Sequence, residues 1–149
     1  IKIDQQSITE ELATTTAGYL HLIHDIERIG DIAENIMDLV VLKDEENIQF
    51  TDTAVDEVKH LSSVVNESIA VTMEAFDEWD KNIALHALEI EGKVDAIEQQ
   101  YRDNHIRRLG TNECDPKSGV VFLDILSNLE RVGDHANNVA KKILEINTF

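Results

Sequence analysis

An eleven-residue segment that occurs twice constrains the fold of this chain more than any other feature. Residues 26–36 read IERIGDIAENI and residues 129–139 read LERVGDHANNV, so the two copies lie 103 positions apart. Six of the eleven positions are identical, and three more exchange one branched aliphatic residue for another. Both copies lie in apolar patterns of helical period, which predicts two equivalent helices.

Each copy places two acidic residues and a glycine where an ordinary exposed helix would not favour them. Glu27 and Asp31, like Glu130 and Asp134, are four residues apart and share a helix face, where like charges cost about 0.2–0.5 kcal/mol. The glycine inside each copy costs up to about 1 kcal/mol more. A cation held by the carboxylates, with a close backbone approach at the glycine, would account for both choices.

The composition favours long helices. Hydrophobic residues make up 42% of the 149 residues but aromatic residues only 5%, with one proline and six glycines, which argues against a β-sandwich. No apolar run reaches the roughly 20 residues of a membrane span, and no signal peptide is recognisable. The first residue is Ile1 rather than Met, so we expect the chain to be part of a longer protein.

The formal net charge of −17 restricts the partners of the chain. Such a surface repels nucleic acid, anionic membranes and free phosphate, and it attracts cations or a basic protein surface. We therefore expect no nucleic-acid partner. The single cysteine, Cys114, excludes an internal disulfide and fits a reducing compartment. It has no nearby base, so we interpret it as a loop thiol.

The apolar periodicity predicts one domain, residues 1–149, with four long helices. We expect them at about residues 7–42, 52–78, 81–109 and 116–146, with caps at Ser7, Thr51, Asp80 and Asp115. Gly110 fits the position just past a helix end. The predicted core stripe of the first helix is Tyr19, Leu22, Ile26, Ile29, Ala33, Ile36 and Val40.

Short connections make neighbouring helices antiparallel, so the fold class is an all-α antiparallel bundle of four long helices. The last three helices form an up-down bundle. The first helix either closes that bundle as a fourth member or pairs with sequence outside this chain.

A third acidic pair suggests where a metal would lie. Glu91 and Asp95 border the apolar stripe of the third helix, with Glu98 one turn further. Because the third and fourth helices should be antiparallel neighbours, this pair can face Glu130 and Asp134 across the groove. Four or five carboxylates there would suit a hard divalent cation or a multinuclear iron centre.

The four-residue spacing of acidic pairs does not by itself indicate a metal site. With 30 acidic residues in 149, about six pairs at spacing four are expected by chance, and six are found. The acids could therefore be solvated. A di-iron oxidase needs two Glu-x-x-His motifs in its bundle, and only Glu57 with His60 has that spacing. No phosphate-cradling loop or nucleophile–base pattern is present, so we do not expect an enzyme.

We expect four residues in or near the repeated segments to have structural roles. We expect His24 to lie at the surface or between helices, and His135 to point away from the acidic pair and pack between helices. We expect Arg28 and Arg131, which directly follow the glutamates, to pair with acids of a neighbouring helix.

The repeated segments resemble the signature of the PhoU family around its Glu-x-x-x-Asp motif. More narrowly, HIRRLGTNECDPKSGVVFLDILSNLERVGDHANNVA resembles the C-terminal PhoU-like domain of bacterial sodium/phosphate cotransporters. The family fold is a tandem of three-helix repeats. On that map, residues 7–42 resemble the last helix of a first repeat whose two earlier helices are absent, and residues 51–147 form a complete second repeat.

The resemblance implies a metal site and a biological role. A family site pairs the middle and last helices of a repeat, so Glu91, Asp95, Glu130 and Asp134 make a complete set, with Glu98 as a further ligand. Glu27 and Asp31 are also candidates but lack their usual partner helix. Some members bind iron or other metals.

Family members regulate phosphate uptake and signalling, which implies a cytoplasmic domain at the inner face of the membrane. Its partner would be the membrane domain of a phosphate transporter or a phosphate-signalling protein. The alternative is a structural helical interaction or oligomerisation module without metal. In either case the first helix could use its stripe to form a homodimer.

Overall fold

The computed structural model describes residues 2–146 of the chain, with the side chains of residue 10 and of residues 12–146. It contains four helices, α1 (Lys2–Glu45), α2 (Asp52–Glu78), α3 (Lys81–Gly110) and α4 (Pro116–Glu145). The described residues contain no strand, so the predicted all-α class is confirmed. None of the described helices combines the length and apolar character that crossing a membrane would need.

Three predicted helix starts are confirmed by their capping side chains. The Thr51 hydroxyl accepts a hydrogen bond from the Ala54 N–H at 3.2 Å, and the Asp80 carboxylate accepts from the first N–H groups of α3. Asp115 does the same for α4, whose first residue is Pro116. These side chains satisfy N–H groups that have no partner within the helix.

Two predicted boundaries are wrong. The first helix begins at Lys2 rather than near Ser7, so Ser7 lies inside it and does not mark its start. The side chain of Ser7, and with it the predicted capping contact, lies outside the described residues. Gly110 is the last residue of α3 rather than the residue after it. The left-handed conformation that turns the chain lies at Asn112, with φ of 58°.

The last three helices form the core. One apolar cluster joins Leu61 and Val65 of α2 with Val94 of α3 and Phe122 and Leu126 of α4. A second cluster, nearer the turn between α2 and α3, is built mainly from alanines and small aliphatic residues: Ala75, Ala84, Ala87, Val139, Ala140 and Ile143. Small side chains allow the three helix backbones to approach closely at that end.

The first helix adds Ile32 to the first cluster and Leu22 to the second, from one side of α4. Among the described residues, the backbone of α1 approaches α4 alone, in the antiparallel direction. Leu22 and Ile32 are buried there, and Asp25 lies 2.9 Å from the Nδ1 atom of His135. The helix therefore does not close a symmetrical four-helix bundle. It covers one side of α4.

The predicted core stripe of α1 is partly wrong. Leu22, Ile29 and Ile36 do pack toward α4, but the rest of the predicted stripe is exposed: Tyr19, Ile26, Ala33 and Val40. The prediction missed Ile32, which is 1% exposed, and Leu39. The physical reason is that α1 carries apolar residues on two faces, and the predicted stripe combined residues from both.

Candidate metal centre

The centre lies beside a close contact between α3 and α4. Gly133 faces Val94, and a Cβ atom built on Gly133 would lie 3.1 Å from the Val94 Cγ1 atom. Val94 is fully buried. Only a residue without a side chain fits here comfortably, so the repeated glycine of α4 marks a close backbone approach, as its position inside the motif predicted.

Three acidic side chains converge beside this approach. Glu91 and Asp95 of α3 and Asp134 of α4 each offer a carboxylate oxygen, and these three oxygens lie within 4.8 Å of one another. Two of the residues are one turn apart on the same helix, and the third comes from the facing helix. The geometry therefore brings together three of the four residues predicted as the main ligands.

The fourth predicted ligand, Glu130, lies one turn along α4. It borders an open depression on the α3–α4 groove together with Asp95 and Glu98. The acidic surface is thus longer than the three-carboxylate cluster, with Asp95 lying in both parts.

The carboxylates of the groove disfavour one another's charge. Burial, followed by the charges of Asp95 and Asp134, raises the pKa of Glu91 above its ordinary value of 4.5. Burial and the neighbouring charge of Asp134 likewise raise the pKa of Asp95 above 3.8. Burial, then Asp134, Asp95 and Glu98, raises the pKa of Glu130. A bound cation would favour the charged forms of all three groups.

Glu98 is already paired with a cation. Its Oε1 atom accepts a hydrogen bond from the Arg102 Nε atom at 2.9 Å and a second one from Arg102 Nη2. Arg102 Nη2 also donates to the Ser127 hydroxyl of α4 at 2.9 Å. Arg102 was not among the predicted site residues, although a glutamate four residues before an arginine is a favourable helical pair.

Asn137 is a second residue that sequence analysis missed. It is one turn beyond Asp134 on α4, is 6% exposed, and lies close enough to Glu91 to offset part of the rise in the pKa of that carboxyl. Its Oδ1 atom is buried and has no hydrogen-bond partner. A buried amide oxygen without a partner is costly, so Asn137 is a candidate neutral oxygen donor next to Glu91. Its spacing from Asp134 was the available signal.

The acidic pair of α1 does not join this centre. The side chain of Glu27 is 71% exposed and lies 3.9 Å from His24, and Asp31 pairs with Arg28 on the same helix at 3.2 Å. The prediction that Arg28 pairs with a neighbouring helix is therefore wrong. His24 is exposed, as predicted.

His135 bridges α4 to Asp25 of α1, which confirms its predicted position between helices. Arg131 borders the same groove as Asp38 of α1. Its predicted ion pair with a neighbouring helix stays a prediction.

The donor set fits a hard cation. Glu91 and Asp95 of α3 and Asp134 of α4 offer charged oxygens across the groove, Asn137 is a candidate amide-oxygen donor, and no thiol or imidazole belongs to the described cluster. Oxygen ligands of this kind favour Mg²⁺, Ca²⁺, Mn²⁺ or iron over the softer metals. The residues present therefore fit the metal type that sequence analysis predicted, and metal binding itself stays a prediction.

Comparison with known proteins gives one family. The model of the PhoU domain matches residues 58–143. A phosphate-specific transport system accessory protein PhoU homolog 1 from Thermotoga maritima is 30% identical over 132 residues, covering 87% of this chain and 55% of that protein. A PhoU homolog of the same description from Pseudomonas aeruginosa is 32% identical over 124 residues, covering 80% of this chain and 49% of that protein.

The chain covers only part of each of these relatives. The chain spans about half the length of the curated relatives it matches. A third relative, a PhoU homolog from Pseudomonas putida, is covered over 46% of its length. No solved structure matches the chain significantly.

Proposed function

Because the chain belongs to the PhoU family, we propose that it is a regulatory domain of phosphate uptake whose α3–α4 groove holds a metal ion. The observation that supports metal binding is the convergence of three carboxylates, Glu91, Asp95 and Asp134. They lie beside the close contact between Gly133 and α3. Glu130 lies one turn away and extends the same acidic surface.

The role in phosphate uptake is supported by the relatives. Their names describe accessory proteins of a phosphate-specific transport system. We propose that this domain likewise acts through protein contacts and not as an enzyme. Its partner would be the membrane part of a sodium/phosphate cotransporter or a phosphate-signalling protein, at the cytoplasmic face of the membrane.

The chain's own residues define what the metal would do. Two ligands on α3 and one on α4 mean that a bound cation ties the two helices together and offsets the repulsion between their carboxylates. When bound, the ion supplies positive charge and free coordination positions on a surface of net charge −17. Phosphate is repelled by such a surface, so an ion of this kind is the route by which phosphate would be held here.

The experiment compares equivalent residues of the two repeated segments. Purified wild-type chain is loaded with Mn²⁺ or iron and its metal content is measured beside two double variants. We expect Glu130→Ala/Asp134→Ala to lose the metal and Glu27→Ala/Asp31→Ala to keep it. A chelator should lower the thermal midpoint of the wild type, because a ligand that binds only the folded state stabilises it. Equal metal content in all three proteins would remove the site.

A purely structural module is the second candidate, and the exposed apolar face of α1 favours it. Ile23 and Met37 of α1 are 60% and 61% exposed. In this alternative the acids are solvated and two copies associate through α1, giving a homodimer. The two candidates separate cleanly, since the structural module shows no response to a chelator.

A further inference from the structure

One buried, titratable side chain lies far from the proposed metal centre, at the end of the bundle where α3 turns into α4. His105 of α3 is 2% exposed, and neither of its ring nitrogens has a hydrogen-bond partner among the described residues. We call its contacts with Gly119 and Phe122 of α4 the His105 latch. We propose that this latch is acid-sensitive: it stays closed while the imidazole is neutral, and a proton on the ring opens this end of the bundle.

The first turns of α4 enclose the imidazole ring. The centroids of the His105 and Phe122 rings lie 4.7 Å apart, with their planes tilted by 31°. A Cβ atom built on Gly119 would lie 2.7 Å from His105 Nε2, which is closer than real side chains come. The backbone at Gly119 therefore lies directly against Nε2 and leaves little space there for a hydrogen-bond partner.

This packing suits the neutral imidazole better than the imidazolium. The neutral ring has one N–H donor and one acceptor, whereas the protonated ring has two donors and a positive charge. In the closed latch both donors would be buried without a partner, and a buried unpaired charge costs far more than a buried neutral group. A protonated ring is therefore stable only where it reaches water.

The charged groups around the ring do not supply a counter-ion. Arg108 lies three residues further along α3, and Glu57 of α2 already accepts hydrogen bonds from both of its Nη atoms. Gly119 and Phe122 are uncharged, and the Arg108 guanidinium lies over the Phe122 ring at 5.5 Å. Burial, followed by the charge of Arg108, lowers the pKa of His105 below 6.5, and the charge of Glu57 opposes this shift.

Acid therefore favours the open form. There the ring is in water, and its pKa is the ordinary value of about 6.5. Because the closed form binds fewer protons, its stability is fully present above this pKa and is lost as the pH falls toward the lowered value. Only this end of the bundle should open, since the second apolar cluster, at the opposite end, is built from side chains that do not titrate.

Hydrogen exchange of the full chain in chelator, at pH 7.5 and pH 5.5 and corrected for the intrinsic effect of pH, tests the latch. At pH 5.5 the ring of the open form is protonated about ten times more often than it is neutral, so amides of residues 119–125 should lose about tenfold in protection. Amides of residues 136–143 should lose none. His105→Leu should abolish the loss, and His86→Leu, which removes an exposed histidine of α3, should keep it.

Three results would overturn the latch. They are protection of residues 119–125 that is independent of pH, a loss that persists in His105→Leu, and an equal loss throughout α4, which would mean that acid acts on the whole fold. Should His105→Leu fail to fold, His105→Gln takes its place. Nuclear magnetic resonance titration of the wild type decides without any variant, because His105 should titrate below exposed His86, and a shared midpoint also overturns the proposal.

Discussion

At the scale of single residues, Gly30 and Gly133 occupy equivalent positions of the repeated segment but have different surroundings. A Cβ atom at Gly30 would meet nothing within 4 Å, whereas one at Gly133 would press on Val94 at 3.1 Å. The same residue type therefore has a packing reason in α4, and none within the described structure in α1.

This difference predicts opposite effects of one substitution. Gly30→Ala should raise the free energy of unfolding by about 0.5–1 kcal/mol, since alanine is the better helix former. Gly133→Ala should lose that gain and destabilise the chain by about 1 kcal/mol, because α3 and α4 must move apart. Urea denaturation followed by circular dichroism measures both. Equal stabilisation by the two variants would contradict the close approach of the helices.

The carboxylates of the centre give a pH-dependent prediction. Burial and the neighbouring acids raise the pKa of Glu130 above 4.5, so the folded chain binds this proton more tightly than the unfolded chain. The stability that Glu130 contributes is therefore greatest at low pH and is lost as the pH rises through the raised pKa. In chelator, Glu130→Gln should raise the thermal midpoint most at pH 8 and progressively less toward pH 5.

The repeat again supplies the control for this prediction. Glu27 is equivalent to Glu130 but is 71% exposed, so Glu27→Gln should change the midpoint little at any pH. A benefit of Glu130→Gln that stayed constant from pH 5 to pH 8 would show that the charge of Glu130 is not the cause.

Residue-level features were predictable where they are local. The caps at Thr51, Asp80 and Asp115 follow from side chains that reach only two or three residues along the chain. The convergence of the acids on α3 and α4 needed only helical period and an antiparallel hairpin. The orphaned amide of Asn137 was not predictable, because it depends on how deeply α4 is buried, which no short segment determines.

At the scale of helices, α2 and α3 are joined by a buried ion pair that the sequence did not reveal. Arg108 Nη1 and Nη2 donate to the two carboxylate oxygens of Glu57 at 3.1 and 2.6 Å, across 51 residues of sequence. Asn104 donates to the same carboxylate, and the guanidinium lies over the Phe122 ring of α4. The sequence offers Glu57 only as half of a Glu-x-x-His motif, because its true partner, Arg108, is distant in the chain.

This ion pair should anchor the open end of the α2–α3 hairpin. Glu57→Ala leaves the Arg108 charge buried without its partner, and the free energy of unfolding should fall by about 3–5 kcal/mol. Arg28→Ala, which breaks an exposed pair within α1, should cost less than about 1 kcal/mol. Chemical denaturation of the two variants beside wild type measures both, and similar losses would mean that the buried pair has no special role.

The two faces of α1 explain why its core stripe was mispredicted. One face, with Leu22, Ile29 and Ile36, packs on α4. The other is equivalent, position by position, to the face of α4 that packs on α2 and α3. Each large or small residue there has a buried counterpart in α4: Tyr19 with Phe122, Ile23 with Leu126, Ile26 with Leu129, Gly30 with Gly133, and Ala33 with Ala136. Periodicity detects both faces and cannot tell which one is covered.

At the scale of the whole molecule, α1 carries most of the exposed large hydrophobic side chains of the described surface. Eight large side chains on its side and borders are 37–63% exposed: Leu12, Tyr19, Leu20, Ile23, Ile26, Met37, Val40 and Val41. Contiguous apolar surface of this extent usually marks a contact with another protein. Each of these eight side chains has about 60–120 Å² of surface, and about half of that is exposed. Together they offer on the order of 400 Å² of apolar surface.

The face is also self-complementary, which favours a second copy of the chain as its partner. Ile23 and Met37 are each seven residues from Gly30, and Tyr19 and Val41 are each eleven residues from it. Two α1 helices crossing antiparallel at Gly30 would therefore place apolar side chains opposite one another. Its apolar part is about half of the roughly 800 Å² per partner of a stable interface, so polar side chains at its border must complete the contact.

The chain should accordingly associate in a concentration-dependent way, from 16.8 kDa toward twice that mass. Ile23→Glu/Met37→Glu should hold it at the monomer mass, because four charged side chains would meet in the contact. The matched control is Leu85→Glu with Ile106→Glu, two exposed apolar residues of α3 that should leave association unchanged. Added salt should strengthen association by screening the charge of −17 on each copy. Light scattering or sedimentation measures the mass, and a wild-type chain that stays monomeric at every concentration excludes the dimer.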